Sequence, residues 1–136
     1  MKINMVYISN TGHTEEMAEV LEEEIKAKGH ELNVYTEEPD ADEFLDADLL
    51  IFGSPACGTE EVDDSIIQPT IESLSSLEGK KVFMFGSFGW GDGEYMEIWT
   101  DEMKDKGAEI VANPVVCLED PDDEAKEALK EAVNSF

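Results

Sequence analysis

Two hydrophobic rhythms alternate along the chain. Short apolar runs occur at Ile3 to Ile8, at Leu49-Leu50-Ile51-Phe52 and at Val82-Phe83-Met84-Phe85. Runs of this length suit strands buried on both faces, as in a parallel sheet. Between them the apolar positions recur every three or four residues, the period of a helix with one buried stripe. Met17, Leu21 and Ile25, with Ala18 beside them, predict a helix over Glu15–Lys28, closed by Gly29. Ile67, Ile71 and Leu74 predict another, with Gly79 closing the turn after it. Met96, Trp99 and Met103 mark a third that ends at Gly107, and Ala125, Leu129 and Val133 a terminal helix within Asp122–Phe136. Leu32 and Val34 alternate with polar neighbours and give the second strand. Glu109 to Leu118 gives the last, interrupted near Asn113-Pro114, and Phe44-Leu45 suggests a short helix in the loop from Pro39 to Asp46.

Strand and helix patterns alternate five times with no linker or repeat. The expectation is one α/β domain over residues 1–136, a three-layer, doubly wound, five-stranded parallel sheet. Right-handed crossovers place every strand-to-helix loop on one edge of the sheet, where ligands of such folds bind. Three loops stand out there: Ser9–Thr14, Ser54–Glu60 and Ser87–Asp92.

The charge narrows the chemistry. The 136 residues carry a formal net charge of −25, and all nine basic residues are lysines. Without arginine there is no bidentate clamp for a phosphate, so neutral N–H and O–H donors must hold any phosphate bound here. Nucleic-acid and anionic-membrane binding both need a basic face and are disfavoured, whereas a basic protein partner is favoured. A charge that serves only solubility or salt adaptation is the alternative. Cys57 and Cys117 are too far apart in sequence for a metal motif, and His13 and His30 are isolated. Met1-Lys2-Ile3 is already strand-like, with no signal-peptide pattern, so the expected location is the cytoplasm.

The first loop, Ser9-Asn10-Thr11-Gly12-His13-Thr14-Glu15, turns from a strand into a helix and is rich in hydroxyls. Free backbone N–H groups at a helix start, with hydroxyls beside them, make an anion site, although ordinary capping uses the same residue types. The loop has no Gly-Lys-Ser/Thr ending, which argues against nucleotide hydrolysis, and no dinucleotide glycine spacing. The acidic pair of a receiver domain is replaced by Ser9-Asn10. In the third loop, Ser87-Phe88-Gly89-Trp90-Gly91-Asp92-Gly93, a tryptophan between glycines offers a stacking surface for a planar ring. In the second, Ser54-Pro55-Ala56-Cys57-Gly58-Thr59-Glu60, Glu60 can accept from an imide N–H, and Ser54 and Cys57 lack a histidine that would make either a nucleophile.

On these three segments the whole chain resembles the short-chain flavodoxins. The resemblance implies strand order 2-1-3-4-5 and a non-enzymatic, low-potential electron carrier. It would hold one FMN without covalent attachment, shuttle between semiquinone and hydroquinone, and act as a monomer that meets basic reductases and acceptors. It implies that Ser9, Asn10, Thr11, Gly12, His13 and Thr14 hold the phosphate with Ser54 nearby, and that Trp90 and Cys57 flank the ring. Glu60 would bind N3–H, the Gly89 and Trp90 amides would face O2, and the Gly58-Thr59 peptide would turn its Gly58 carbonyl to N5–H on one-electron reduction. Pro55, Ala56, Ser87, Phe88, Gly91 and Asp92 complete the cofactor-binding set. Asn10, His13 and Cys57 depart from the usual pattern, which has Gly, Asn and Met there. Glu60, Glu61, Asp63, Asp64, Asp92 and Asp120 are expected near the ring edge, where negative charge disfavours an anionic reduced flavin. The alternatives are an FMN-dependent quinone or NAD(P)H oxidoreductase of the same fold and a flavin-free acidic interaction module.

Overall fold

The computed structural model describes residues 1–9, 12–55, 63, 65–74, 76–88, 94–118 and 121–136. In chain order the elements are β1 (Lys2–Tyr7), α1 (His13–Ala27), β2 (Glu31–Tyr35), α2 (Ala41–Leu45), β3 (Leu49–Gly53), α3 (Ile67–Ser73), β4 (Lys81–Phe88), α4 (Glu94–Asp105), β5 (Glu109–Ile110), β6 (Val115–Leu118) and α5 (Asp123–Asn134). The sheet runs β2-β1-β3-β4-β5, with β6 also paired to β4, and every pairing is parallel. The expected order 2-1-3-4-5 is therefore present. The interruption near Asn113-Pro114 splits the last strand in two: β5 pairs with Lys81 and Val82, and β6 with Phe85 to Phe88.

Side chains of the central strands alternate between two cores. Ile3, Met5, Leu49, Ile51, Phe83, Phe85, Val115 and Cys117 face α1 and α5, where Met17, Leu21, Ile25, Leu129 and Val133 meet them. Val6, Leu50, Phe52, Val82 and Met84 face the other side, against Phe44 of α2, Ile67 and Ile71 of α3, and Met96, Trp99 and Met103 of α4. Both faces are covered, as the continuous apolar runs require. Asn4 breaks the run without leaving an unsatisfied amide. Its Nδ2 donates to the Phe44 carbonyl at 2.8 Å, and its Oδ1 accepts from Asn33 at 3.1 Å.

One expected boundary shifts. α1 begins at His13, two residues before Glu15, because Gly12 takes a left-handed φ of 91° and turns the chain sharply into the helix. Val34 is exposed, since β2 is the margin of the sheet and pairs only with β1.

One register row places the functional edge. Tyr7 pairs with Gly53, Gly53 with Phe85 and Phe85 with Val115, so four strands are aligned at the same level. The three loops singled out in the sequence leave the sheet within about two residues of that row.

Candidate cofactor site

The first loop rises from β1 and closes on α1. Gly12 is the residue preceding the helix and, as glycine, brings no capping side chain of its own. The Gly12 N–H donates to Ser9 Oγ at 3.0 Å, and the Gly12 carbonyl accepts from Glu16 at 3.0 Å. A hydroxyl that accepts from an amide keeps its own proton to donate. Ser9 and the N-terminal turn of a 15-residue helix thus offer neutral donors to an anion. Gly12 has no neighbour within 4 Å of a Cβ position, so its left-handed backbone, not crowding, calls for glycine. These features fit a terminal phosphate held without a basic side chain. Glu15 and Glu16 occupy the same turn, so the helix dipole is already partly met by carboxylates.

Thr14 sits at a different level from Ser9. It is 1% exposed, and its Oγ1 lies 2.9 Å from Ser87 Oγ, itself buried. Its hydroxyl ties the first loop to the end of β4, beneath the turn. The Ile8 N–H likewise reaches the Gly53 carbonyl at 3.2 Å, tying β1 to the end of β3. Burial and the carboxylates of Glu15, Glu22 and Glu19 push the Tyr7 phenol above its usual range, so Tyr7 stays neutral at this edge.

The start of the second loop is locked. Ser54 is buried and donates from its N–H to the Phe85 carbonyl at 3.2 Å. Its Oγ donates to the Pro55 carbonyl at 2.9 Å and accepts from the Asp63 N–H at 2.9 Å. Asp63, expected near the ring edge, is 5% exposed. Its carboxylate accepts from the Ile66 and Ile67 N–H groups at 2.8 and 3.0 Å and from Ser65 Oγ at 2.8 Å, at the entry to α3. Burial pushes its pKa upward, but the hydrogen bonds from Ile67, Ile66 and Ser65 outweigh that and hold the carboxyl below the usual range. It is a structural carboxylate. The carboxylates of Glu60, Glu61, Asp64, Asp92 and Asp120 lie outside the described residues.

Two residues that the sequence reading did not single out, Tyr95 and Gly86, complete the floor together with Asp63. Tyr95 falls on the buried stripe of α4 with Trp99, four residues on, so its helix position was legible but its hydroxyl contacts were not. His13 is the first residue of α1 and half-buried. Phe88 ends β4, half-buried against the core on the α4 side. Of the predicted site residues, the structure brings together Ser9, Gly12, His13, Thr14, Ser54, Pro55, Ser87 and Phe88 at the register row. Asn10, Thr11, Ala56, Cys57, Gly58, Thr59, Glu60, Gly89, Trp90, Gly91 and Asp92 lie outside the described residues. A separate groove of about 1020 Å³ follows β6 and α5 along the sheet margin, lined by Phe88, Cys117, Leu118 and Ala125 among others. No metal-binding cluster and no helix long and apolar enough to cross a membrane occur among the described residues.

Comparison with known proteins agrees with this arrangement. The family model described as flavodoxin matches residues 5–132. A flavodoxin of Megasphaera elsdenii is 40% identical over 116 residues, covering 84% of this chain and 85% of that protein. One of Clostridium beijerinckii is 36% identical over 130 residues, covering 94% of each. The solution structure of two-electron reduced Megasphaera elsdenii flavodoxin superposes with a TM-score of 0.86 at 38% identity, over 97% of this chain and 98% of that one. The chain thus belongs to the flavodoxin family, FMN-binding electron carriers rather than substrate-converting enzymes.

Proposed function

We propose that this protein carries single electrons at low potential between basic redox proteins of the cytoplasm, and that residues 1–136 work as one monomeric domain that engages no nucleic acid. The N-terminal turn of α1, with Gly12 left-handed and Ser9 beside it, is the observation that carries the reading. FMN, when bound, supplies a ring that accepts and returns one electron at a time. The protein's part is to hold that ring and bias its states. Ser9, Asn10, Thr11, Gly12, His13 and Thr14 hold the phosphate through amides and hydroxyls, with Ser54 behind them. Trp90 and Cys57 cover the two faces of the ring. Glu60 accepts from the imide N–H, and the Gly89 and Trp90 amides donate to the ring oxygen beside it. Pro55, Ala56, Ser87, Phe88, Gly91 and Asp92 shape the loops around these contacts. Gly58, free to adopt positive φ, lets its carbonyl turn to a ring nitrogen that bears a proton only after reduction, so the loop binds the reduced ring more tightly.

Reconstitution of the apoprotein followed by stepwise reduction tests this. Tight FMN binding and reduction in two separate one-electron stages are expected. A protein that stays colourless with FMN, or is reduced in one two-electron stage, contradicts the reading.

A further inference from the structure

The second and third loops leave the sheet from neighbouring strands, and one phenol spans the strand ends. Tyr95, at the start of α4, is 2% exposed. Its hydroxyl donates to the Ser54 carbonyl at 2.9 Å and lies 3.4 Å from the Ser87 carbonyl. The paired register of β3 and β4 runs to Gly53 beside Phe85, so these carbonyls lie just past it. A phenylalanine would fill the same apolar space, and a buried phenol costs stability unless its O–H is bonded. Gly86 is matched to this contact. A Cβ there would lie 2.1 Å from both the Ser54 carbonyl oxygen and the Tyr95 hydroxyl. The bare backbone of Gly86 is therefore what allows the phenol to reach across.

The contact also links two sets of hydrogen bonds among the described residues. On one side Thr14 meets Ser87; on the other Ser54 meets Asp63, which caps α3. Tyr95 connects them into one buried series from the first loop to the second.

We infer that Tyr95 is a positioning residue of the cofactor site, whose hydroxyl fixes the spacing of the second and third loops so that both meet one ring. The inference rests on the FMN reading above. Rigid spacing set before binding raises affinity by lowering the ordering cost.

The test compares Tyr95→Phe with Trp99→Phe in the full chain, each loaded with FMN. Trp99 lies in the same core and one turn further along the same helix, so it reports packing alone. Tyr95→Phe should weaken FMN binding about three- to tenfold and change the visible circular dichroism of the bound flavin. Trp99→Phe should lower the melting temperature and leave affinity and dichroism as in the wild type. A Tyr95→Phe protein that matches the wild type in both, or moves no more than Trp99→Phe, overturns the assignment while tight wild-type binding leaves the FMN reading standing. A wild-type protein that binds no FMN overturns both. Should Tyr95→Phe fail to fold, exchange of the Tyr95 hydroxyl proton with water in the FMN-loaded wild type decides. Slow exchange supports the inference, and exchange as fast as in free tyrosine overturns it.

Discussion

The hydroxyls of Thr14 and Ser87 meet at 2.9 Å across 73 residues of sequence, both out of contact with water. Removing either one strands the other in the interior. Thr14→Val or Ser87→Ala should each cost about 1–3 kcal/mol, and the double variant clearly less than the sum. Urea denaturation of the apoproteins measures this. Additive costs would show that the two hydroxyls do not act as a pair.

Gly12 offers a test that separates phosphate from ring. Its φ of 91° lies where a side chain costs about 1–2 kcal/mol. Gly12→Ala should weaken FMN binding by about five- to thirtyfold and leave riboflavin, which has no phosphate, nearly unaffected. Fluorescence titrations with both flavins provide the comparison. Equal losses would remove the first loop from phosphate recognition.

The two tryptophans should divide cleanly. Trp99 is 1% exposed in the α4 core with Met96 and Met103, as its spacing predicts, and its Nε1 has no hydrogen-bond partner among the described residues. Trp99→Ala should cost about 3–5 kcal/mol of stability and change intrinsic FMN affinity little. Trp90→Ala should do the opposite and abolish most of the fluorescence quenching by FMN. A reversed pattern would exchange their roles.

Asp63 gives a pH prediction. Its carboxyl is held below the usual range in the folded protein, so its ionised form contributes stability above the unfolded carboxylate value. That contribution is lost as pH falls through the lowered folded value. Asp63→Asn should therefore be less stable than the wild type at neutral pH, and the gap should close in strong acid. A gap independent of pH would mean the charge plays no part in capping α3.

Salt should act in opposite directions on stability and on partner encounter. With a net charge of −25 and only the Lys2–Asp46 ion pair found among the described residues, self-repulsion opposes folding. Raising salt should raise the melting temperature and slow electron uptake from a basic reductase, because screening shortens the steering range to about 8 Å at physiological ionic strength. Thermal scans and stopped-flow mixing across a salt series measure the two. A rate flat with salt would leave the charge a device of solubility.

Both cores were legible because β3 and most of β4 are apolar on both faces, and only a sheet covered on both sides accommodates that, whereas the strand order came from the resemblance alone. Helix stripes such as Met17-Leu21-Ile25 were equally plain. Asp63 was read only as a charge near the ring edge, since nothing local marks a carboxylate that bends back onto two amides. The Thr14–Ser87 and Tyr95–Ser54 contacts cross between elements far apart in sequence. Such contacts follow from the register of whole strands, which no short window contains.

The distribution of lysine along the strand axis gives the molecule a direction. Lys2 and Lys81 begin strands, Lys80 precedes one, and Lys26, Lys28, Lys104 and Lys106 lie at or just past helix C-termini. In a right-handed parallel fold all of these fall at the edge opposite the loops, and only Lys126 and Lys130, on α5, do not. For a basic partner of the kind proposed above, these seven lysines repel at one edge and leave the loop edge as the less hindered approach, so charge would select orientation as well as raise encounter rate.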